Sequence, residues 1–558
     1  MKLISLEINE QFRSLHSGFK INFRKITDRN IDSMNEFQPF CFAGLNGSGK
    51  SNVLEALSSI FYHLEFCVAK FKPNSFELYY KRNLSSPDAY TLQYLICDDN
   101  NHKLSYLVTV TKEKLKEPRM RVQKIPVDEE SVESEISLLP TKTSSESAAG
   151  KYFLPDLVVG YSSGENEILS LPFIKTRLVH FDEYKESSIK GLEFKESETS
   201  LLYIDEEMSQ ALLLACMLFE DEETLKPLKD ELGIIEVQSF RMHLKNNVFS
   251  LNDKSNHILD NISETINKLK KCTPFSYLDH GLDSHGNKFE ILTLDFLINN
   301  QSKRAFKEHF ESSFELFQFF KLLYELNNYS ISEKTKEEVY KSRGIYTDGK
   351  VPIPSIDDKV FHFLDYMILK KVSGDNKLKE LRLREFSDGE HQFLHTMGIC
   401  LMIKDRRTLL LLDEPETHFN PGWRAKFIKV LNDSVKAGGG NCLLKDIIIT
   451  SHSPYIISDC SPNSVIYFNK DKNTKEVQAI SAKDMGVNTY GTSVEIISEE
   501  LFDYNQSIGD LANEELNTVD LSSVSTSEDI ESIKKRLSYL GESIEKDLIL
   551  AKINRIKI

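Results

Sequence analysis

The sequence predicts an α/β fold, in which a mixed or parallel sheet is flanked by helices and interrupted by an inserted, mostly helical lobe. An apolar strand at residues 37–43 feeds the glycine-rich run Gly44-Leu-Asn-Gly-Ser-Gly-Lys-Ser51, and helical periodicity follows it. Far downstream, four leucines end in Asp413-Glu414, within a segment where strands and helices alternate. Alternation of this kind is typical of a parallel sheet.

Composition limits the class of protein. The chain has 558 residues, of which 40% are apolar, a net charge of −16 and eight cysteines without a Cys-x-x-Cys pair. The length allows about three or four domains. Scattered thiols favour a reduced, cytoplasmic protein over a zinc or disulfide framework. We expect no membrane span and no signal peptide. The acidic balance argues against a surface that binds nucleic acid throughout but leaves local patches open.

The first part of the chain, residues 1–200, is expected to hold the N-terminal half of a nucleotide-binding head. Alternating apolar residues predict an opening hairpin, and further strands follow the first helix. A segment rich in Lys, Glu and Ser is interpreted as a mobile surface insertion. The expected elements are strands at 2–9, 19–24, 37–43, 77–81, 90–97 and 103–111, a helix at 52–68, and the insertion at 113–150.

Three parts follow: an inserted lobe at 201–380, the C-terminal half of the head at 381–500, and a linker with a C-terminal helix at 501–558. The lobe lacks sustained heptads, so a long coiled coil is not expected. Its expected elements are helices at 206–220, 254–271, 303–327 and 357–373, with a hairpin at 276–296 that turns at 284–287, and the tail is expected to form one helix at 527–557.

The glycine-rich run has the full pattern of a phosphate-binding loop (Walker A). Its glycines let backbone N–H groups point at phosphate oxygens, and the following helix adds its positive end. Lys50 is expected to reach the β- and γ-phosphates of ATP, and the Ser51 hydroxyl to ligate Mg²⁺. A plain glycine turn before a helix is the competing interpretation. The expected nucleotide-binding residues are Gly44, Asn46, Gly47, Ser48, Gly49, Lys50, Ser51 and Asn52.

Leu409 to Leu412 are expected to deliver Asp413 to the metal (Walker B), with Glu414 placed to polarise the attacking water. The alternative is a strand followed by an acidic turn. Upstream, Ser387-Asp-Gly389-Glu390 opens an apolar helix, and such a helix start is a second candidate site for an anion. Downstream, the strand 447–450 ends near His452, which is a candidate sensor of the γ-phosphate or a plain loop histidine.

This order of motifs resembles ABC-type P-loop ATPases, and in particular the soluble branch that includes chromosome-maintenance, recombination-mediator and OLD-type proteins. The resemblance implies two heads that dimerise face to face, with Ser387 and Gly389 closing on the nucleotide of the other head. It also implies that residues 416–420 form the loop across the interface, and that Arg13, in a Phe-Arg-Ser segment, approaches the phosphates. The chain departs from the pattern at Asp388, where glycine is commoner.

A glutamine loop, which in the family that the chain resembles adds a contact to the metal or to water, cannot be placed in this sequence. Asn166, in the segment Gly160-Tyr-Ser-Ser-Gly-Glu-Asn-Glu, could replace its glutamine, but an exposed polar turn is the favoured interpretation. His280, Asp283 and His285 are interpreted as a solvated hairpin turn and not as a metal site. The basic residues of 112–124 lack interleaved aromatic residues, and we interpret them as a solvated loop.

Within this family, the layout looks like the ATPase subunit of Septu-type antiphage systems, in their retron-associated version. The segment around Gly160 and the run that extends from Thr408 to Trp423 carry that resemblance. It implies a partner HNH nuclease, a possible reverse transcriptase with branched DNA–RNA, and an antiviral role controlled by nucleotide state. Two alternatives stay open: a DNA-repair clamp, and a slow-turnover nucleotide sensor that holds an assembly together.

Overall fold

The computed structural model describes most of the chain. The described residues are 1–25, 36–98, 104–125, 133–141, 146–164, 166–192, 200–251, 254–282, 288–343, 351–371, 377–404, 406–437, 445–504, 508–519, 521 and 526–555. Across these ranges, none of the helices combines the length and the apolar character that a membrane crossing needs.

The described residues contain twenty β-strands. In chain order they are β1 (Lys2–Ile8), β2 (Phe19–Asn22), β3 (Phe40–Ala43), β4 (Tyr90–Cys97), β5 (Ser105–Lys112), β6 (Arg119–Ile125), β7 (Ser134–Ile136), β8 (Leu157–Ser162), β9 (Leu201–Tyr203), β10 (Ile234–Asn246), β11 (Val248–Leu251), β12 (Lys254–His257), β13 (Phe275–Leu282), β14 (Lys288–Leu297), β15 (Phe361–Lys371), β16 (Leu378–Arg382), β17 (Thr408–Asp413), β18 (Lys445–Thr450), β19 (Val465–Lys470) and β20 (Val477–Ser481).

Sixteen α-helices lie in the same described ranges. They are α1 (Lys50–Val68), α2 (Asn74–Glu77), α3 (Glu167–Lys190), α4 (Ser209–Phe219), α5 (Glu222–Leu232), α6 (Ser263–Lys271), α7 (Asn300–His309), α8 (Ser313–Leu326), α9 (Glu333–Lys341), α10 (Asp388–Met402), α11 (Pro421–Ala437), α12 (Pro454–Ser458), α13 (Val494–Phe502), α14 (Asp510–Asn517), α15 (Ser527–Leu537) and α16 (Ile544–Ile553).

The central sheet of the head has the strand order β20-β19-β3-β18-β17-β8-β9. All its neighbours are parallel except β19 and β20. The sheet is buried on both faces: Leu409 and Leu411 pack on the side of α1, and Leu410 and Leu412 pack on the side of the lobe. The α/β prediction is therefore confirmed, and β3, β18 and β17 bring their carboxyl ends to one edge, where ligands of such sheets bind.

A second, antiparallel sheet, β2-β1-β4-β5-β6-β7, covers the other side of α1. It confirms the opening hairpin and the strands at 90–97 and 103–111. The mobile insertion predicted at 113–150 is wrong for the described part, because β6 and β7 extend this sheet and Met120 and Val122 are buried. Exposed Arg and Lys alternate with these apolar residues and hide the strand pattern. The strand predicted at 77–81 is also wrong, since α2 ends at Glu77.

The inserted lobe, which is expected to be mostly helical, also contains an antiparallel sheet with the strand order β13-β14-β10-β15-β16. The hairpin predicted at 276–296 is confirmed as β13 and β14, although its turn at 284–287 lies outside the described residues. The helix predicted at 357–373 is wrong, because this segment is β15, which lies between β10 and β16. A break at Asp365 (φ 46°) spaces the buried residues of β15 unevenly and interrupts the alternation that would indicate a strand.

Two further helix predictions are corrected by the structure. Residues 303–327 form two helices, α7 and α8, and residues 254–271 begin with the short strand β12 before α6. The single C-terminal helix predicted at 527–557 is divided into α15 and α16, with Gly541 between them and the Ser543 hydroxyl accepting from Lys546 N at the new helix start. The four-part division of the chain stays a prediction.

Candidate functional site

The loop between β3 and α1 adopts a backbone that only glycine adopts without strain. Gly44, Gly47 and Gly49 have φ values of 134°, 73° and 100°. A Cβ atom at Gly44 would lie 2.3 Å from the Phe468 carbonyl oxygen, so this position also requires glycine for space. Asn46 and Gly47 form the exposed tip of the loop. The predicted loop is therefore present with a curled backbone directly before a helix start, which is the geometry of an anion cradle.

The Lys50 side chain lies buried inside this cradle. Its Nζ donates to the carbonyl oxygens of Gly44 at 2.9 Å and Leu45 at 3.2 Å. Burial lowers the pKa of Lys50 to about 8, although the nearby charges of Glu414 and Asp413 raise it. The ammonium therefore gains from any further negative charge placed beside it.

Ser48 supplies a test of whether phosphate fits the cradle. Its Oγ is buried and has no hydrogen-bond partner among the described residues. A buried hydroxyl without a partner is costly in a folded protein. A phosphate oxygen would satisfy it, so the residues present fit the β- and γ-phosphates of a nucleotide.

Asp413 is the point where three strand ends meet. Its Oδ1 accepts from Ser51 Oγ at 2.9 Å and from Thr450 Oγ1 at 2.6 Å, and its Oδ2 accepts from Asn166 Nδ2 at 2.6 Å. A hydroxyl and a carboxylate in contact supply the oxygen ligands that Mg²⁺ prefers. Ser51 and Asp413 are therefore the residues that could hold the ion.

Asn166 and Thr450 are site residues that the sequence reasoning missed. For Asn166 the sequence favours an exposed polar turn over a replacement for the glutamine, whereas in the structure its Nδ2 donates to Asp413 and its Oδ1 accepts from Leu169 N at the start of α3. Thr450 closes β18 directly before the predicted sensor segment, and its position at a strand end is the only signal that could have identified it.

Glu414 and His452 form a pair beside Asp413. The distance from Glu414 Oε1 to His452 Nε2 is 3.0 Å, and both side chains are about one-third exposed. The backbone N–H of Glu414 donates to Thr450 Oγ1 at 3.0 Å, and its φ is 48°. Burial alone raises the pKa of Glu414, but the contact with His452 and the charge of Lys50 outweigh burial and lower it. The carboxylate is therefore ionised at neutral pH and able to accept a proton.

Asn52 and Arg13 lie beside α1. Asn52 Oδ1 accepts from Ser14 Oγ at 2.5 Å, and its Nδ2 donates to Glu55 Oε2 at 2.9 Å. Arg13 has a φ of 55°, and its Nε is 3.9 Å from Glu55 Oε2. Burial raises the pKa of Glu55 to about 7. The Phe-Arg-Ser segment is thus attached to α1 one turn beyond Ser51.

Ser387, Gly389 and Glu390, the second candidate site for an anion, lie at the start of α10, where Ser387 is the N-cap residue. Ser387 N donates to Glu390 Oε2 at 2.9 Å, and Glu390 N donates to Ser387 Oγ at 3.4 Å, so the two residues form a capping box. Glu390 also pairs with Lys370 of β15. A Cβ atom at Gly389 would lie 2.9 Å from the His418 carbonyl oxygen. Within the described ranges, no hydrogen bond or ion pair joins Ser387 or Glu390 to the phosphate-binding loop.

A second carboxylate, Glu416, is buried behind Glu414. It accepts from Ser451 Oγ, and its other oxygen has no partner in the described part of the chain. Burial raises the pKa of Glu416 to about 7, and the neighbouring Glu414 charge adds to this effect. Glu416, the first residue of the interface loop predicted at 416–420, therefore has its side chain in the interior of the protein.

Other candidate groups have ordinary structural settings. His280 is exposed and lies 4.0 Å from Glu290, whereas Asp283 and His285 lie outside the described residues. No group of His, Cys, Asp and Glu that could hold a metal occurs among the residues that the structure describes. Lys112 is buried and pairs with Asp88 at 2.5 Å, so it belongs to the core and not to the solvated loop predicted at 112–124.

The fold and the site define the class of protein. A strand–loop–helix cradle lies at the carboxyl edge of a mostly parallel sheet, and an aspartate and a glutamate follow β17, which is two strands away from β3 in that sheet. This is the arrangement of a P-loop ATPase. The chain belongs to the AAA ATPase domain family, whose model matches residues 1–457. It is an ATPase.

Two individual proteins are also similar to the chain. "Protein ea59" of Escherichia phage lambda is 26% identical over 151 residues, which are 27% of this chain and 25% of that protein. The chain thus matches about a quarter of this curated relative. The recombination mediator protein RecF with ATPrS, from the RecFOR pathway, is 12% identical over 86% of this chain and 98% of that chain, with a TM-score of 0.26. A score this low carries no argument about function.

Proposed function

We propose that ATP binds the cradle of residues 44–52 and is hydrolysed beside Glu414. The observation that carries this proposal is the convergence of Ser51, Asn166 and Thr450 on the Asp413 carboxylate, at the edge of the sheet where the phosphate-binding loop also lies. Mg²⁺ held by Ser51 and Asp413 would neutralise charge on the phosphate oxygens.

The chain's own side chains then have distinct tasks. Lys50 exchanges its carbonyl contacts for phosphate oxygens, and the Ser48 hydroxyl gains the partner that it lacks. Glu414, ionised at neutral pH, accepts a proton from the attacking water. His452, in contact with Glu414, orients that carboxylate and senses the γ-phosphate.

We infer that two heads act together. Ser387 and Gly389 make their contacts with Glu390 and with the backbone at His418, and not with the phosphate-binding loop of the same chain. A second copy of the chain would bring its Ser387 and Gly389 to the nucleotide, and ATP would bias the equilibrium between open and closed heads.

For the biological role, we propose the ATPase subunit of a Septu-type, retron-associated antiphage complex in the cytoplasm. In this role head closure controls a partner HNH nuclease, and a reverse transcriptase with its branched DNA–RNA is a further partner. Support comes from the resemblance of the runs that follow Gly160 and Thr408. The net charge of −16 and the lobe without a long arm favour this role over a clamp that grips DNA.

A co-purification experiment tests the role. Tagged Glu414→Gln protein, which is expected to hold ATP with closed heads, is expressed with its neighbouring genes, and Lys50→Ala protein serves as the open control. The proposal expects a stoichiometric HNH nuclease with the first variant and less with the second. Heterogeneous chromosomal DNA without a nuclease would replace the antiphage role by the repair clamp. ATP turnover equal in Glu414→Gln and wild-type protein would contradict the assigned role of Glu414.

A further inference from the structure

A cavity of about 210 Å³ lies beside the head, apart from the phosphate-binding loop. Its wall includes Arg13, residues 59, 62 and 63 of α1, Lys175 of α3 and residues 340–343 at the end of α9. Ser59 and His63 follow Lys50 by nine and thirteen residues. At the helical rise per residue, the wall is roughly 14–20 Å along α1 from the loop.

The wall of this cavity is basic. None of its lining residues is acidic, although the chain as a whole carries a net charge of −16. Uniform positive charge in a concave surface attracts and concentrates anions. The basic residues of the wall are Arg13, Lys81, Lys175, Lys341 and Arg343.

Among the basic residues of the wall, Lys175 is the one whose side chain is buried. Its side chain is buried, and its ammonium donates to the Ser342 carbonyl oxygen and has no carboxylate partner among the described residues. Burial, followed by the neighbouring charge of Arg343, lowers the pKa of Lys175 to about 8. A buried charge without a counter-charge is costly, and an anion in the cavity would remove that cost.

Two of the other cations are already paired from outside the cavity. Glu337 contacts Lys341, and Glu55 lies 3.9 Å from Arg13. Within the described part of the chain, Lys81 has no carboxylate within ion-pair distance. The attraction for an anion therefore centres on Lys175, Lys81 and Arg343.

Aromatic rings line the same cavity. Tyr62, Tyr79 and Tyr80 are half-buried in its wall. Cations that bind phosphate, combined with rings that stack on a base, are the features that recognise a nucleotide. Pockets for drug-sized ligands measure about 300–1,000 Å³. This cavity of about 210 Å³ is smaller, so it would enclose the phosphate and only part of one nucleotide unit.

We propose that this cavity is a second nucleotide site, which takes one 5′-phosphorylated nucleotide unit, either a free nucleoside monophosphate or the end of a single strand. Lys175 and Arg343 bind the phosphate, and the tyrosines contact the base. The ligand joins α1, which starts at the ATP-binding loop, to the end of α9 in the lobe. This site goes beyond the function proposed above and does not depend on it.

Equilibrium dialysis in the Lys50→Ala background tests the proposal, because this background disables the first nucleotide site. The two probes are AMP and a short 5′-phosphorylated oligothymidine. We expect saturable binding of at least one of them, weakened about tenfold by Lys175→Gln and by Arg343→Gln, because a charge-assisted contact is lost. Lys185→Gln, on the same helix but paired with Glu333 outside the cavity, is the matched control and is expected to change binding less than about twofold.

The probes distinguish the two sources of the ligand. Binding of AMP alone identifies a free nucleotide, and binding of the oligonucleotide alone, lost without its 5′-phosphate, identifies a strand end. The proposal is overturned if neither probe binds saturably, or if both substitutions leave binding unchanged. Arg343 is exposed, so Arg343→Gln is expected to fold even if Lys175→Gln does not, and melting curves verify this.

Discussion

The carboxylate of Glu414 and the imidazole of His452 are in direct contact, with 3.0 Å between Oε1 and Nε2. Two strand ends supply them, since Glu414 follows β17 and His452 follows β18. The contact fixes the carboxylate beside Asp413 and keeps it ionised. The two proposed tasks, holding the metal at Asp413 and accepting a proton at Glu414, therefore fall to adjacent residues with different contacts.

We expect Glu414→Gln to slow ATP hydrolysis by at least about 100-fold, because general-base catalysis contributes about 10²–10⁴-fold. ATP binding is expected to change little, since glutamine keeps the shape and the contact with His452. Turnover and nucleotide affinity, measured separately, check this. Glu476→Gln, an exposed change before β20, controls for loss of one charge.

ATP affinity is expected to fall by roughly tenfold between pH 7.5 and 9, because the Lys50 ammonium has a pKa of about 8 in the free head and loses its proton over this range. Titration calorimetry with a non-hydrolysable analogue measures the effect. Lys50→Met is expected to bind weakly at every pH and to show little pH dependence. A flat profile in the wild-type protein would contradict the assignment.

Glu416→Gln is expected to stabilise the protein at pH 8 and to have a smaller effect at pH 5. Burial raises the pKa of Glu416 in the folded protein from its ordinary value of 4.5 to about 7, so its protonated form stabilises the fold below pH 4.5, and this stabilisation is lost as pH rises through 7. The gain at pH 8 is at most about 3 kcal/mol. Thermal melts at both pH values test it, and an equal effect at both would contradict the raised pKa.

Asn166→Asp is expected to lower turnover by about tenfold or more and to raise the Mg²⁺ concentration needed for activity. Aspartate keeps the cap of α3 but places a second negative charge 2.6 Å from the Asp413 carboxylate. Turnover against Mg²⁺ concentration checks this. Asn166→Ala, which removes both contacts, separates loss of the amide from charge repulsion, and equal Mg²⁺ curves for all three proteins would refute the assigned contact.

The local parts of the site were predictable from the sequence, because each consists of consecutive residues with a known geometry. Lys50 and Ser51 follow a glycine loop, and Asp413 ends an apolar strand. Thr450 was not predicted, and Asn166 was only the less favoured of two interpretations, since only the parallel pairing of β8, β17 and β18 brings them to Asp413. The positions of Asn166 and Thr450 along the chain do not indicate that they contact Asp413.

The head was easier to predict than the lobe for a physical reason. Strands buried on both faces, such as β17, are continuous apolar runs, and these are distinctive in a sequence. β15 is half-exposed and irregular at Asp365, so its buried residues follow neither the strand period nor the helix period. β6 lies next to the edge strand β7 and alternates charged and apolar residues, so its composition resembles that of a solvated loop.

The ion pair between Lys370 and Glu390 joins the sheet of the lobe to the first turn of α10. β16 runs into the segment that opens α10, and β15, beside it, holds the first turn of that helix through this ion pair. Three strand pairings connect the far edge of this sheet, β13, to the strand that carries Lys370. A protein bound at that distant edge would therefore share one continuous sheet with the helix start that, in the proposed dimer, faces the nucleotide of the other head.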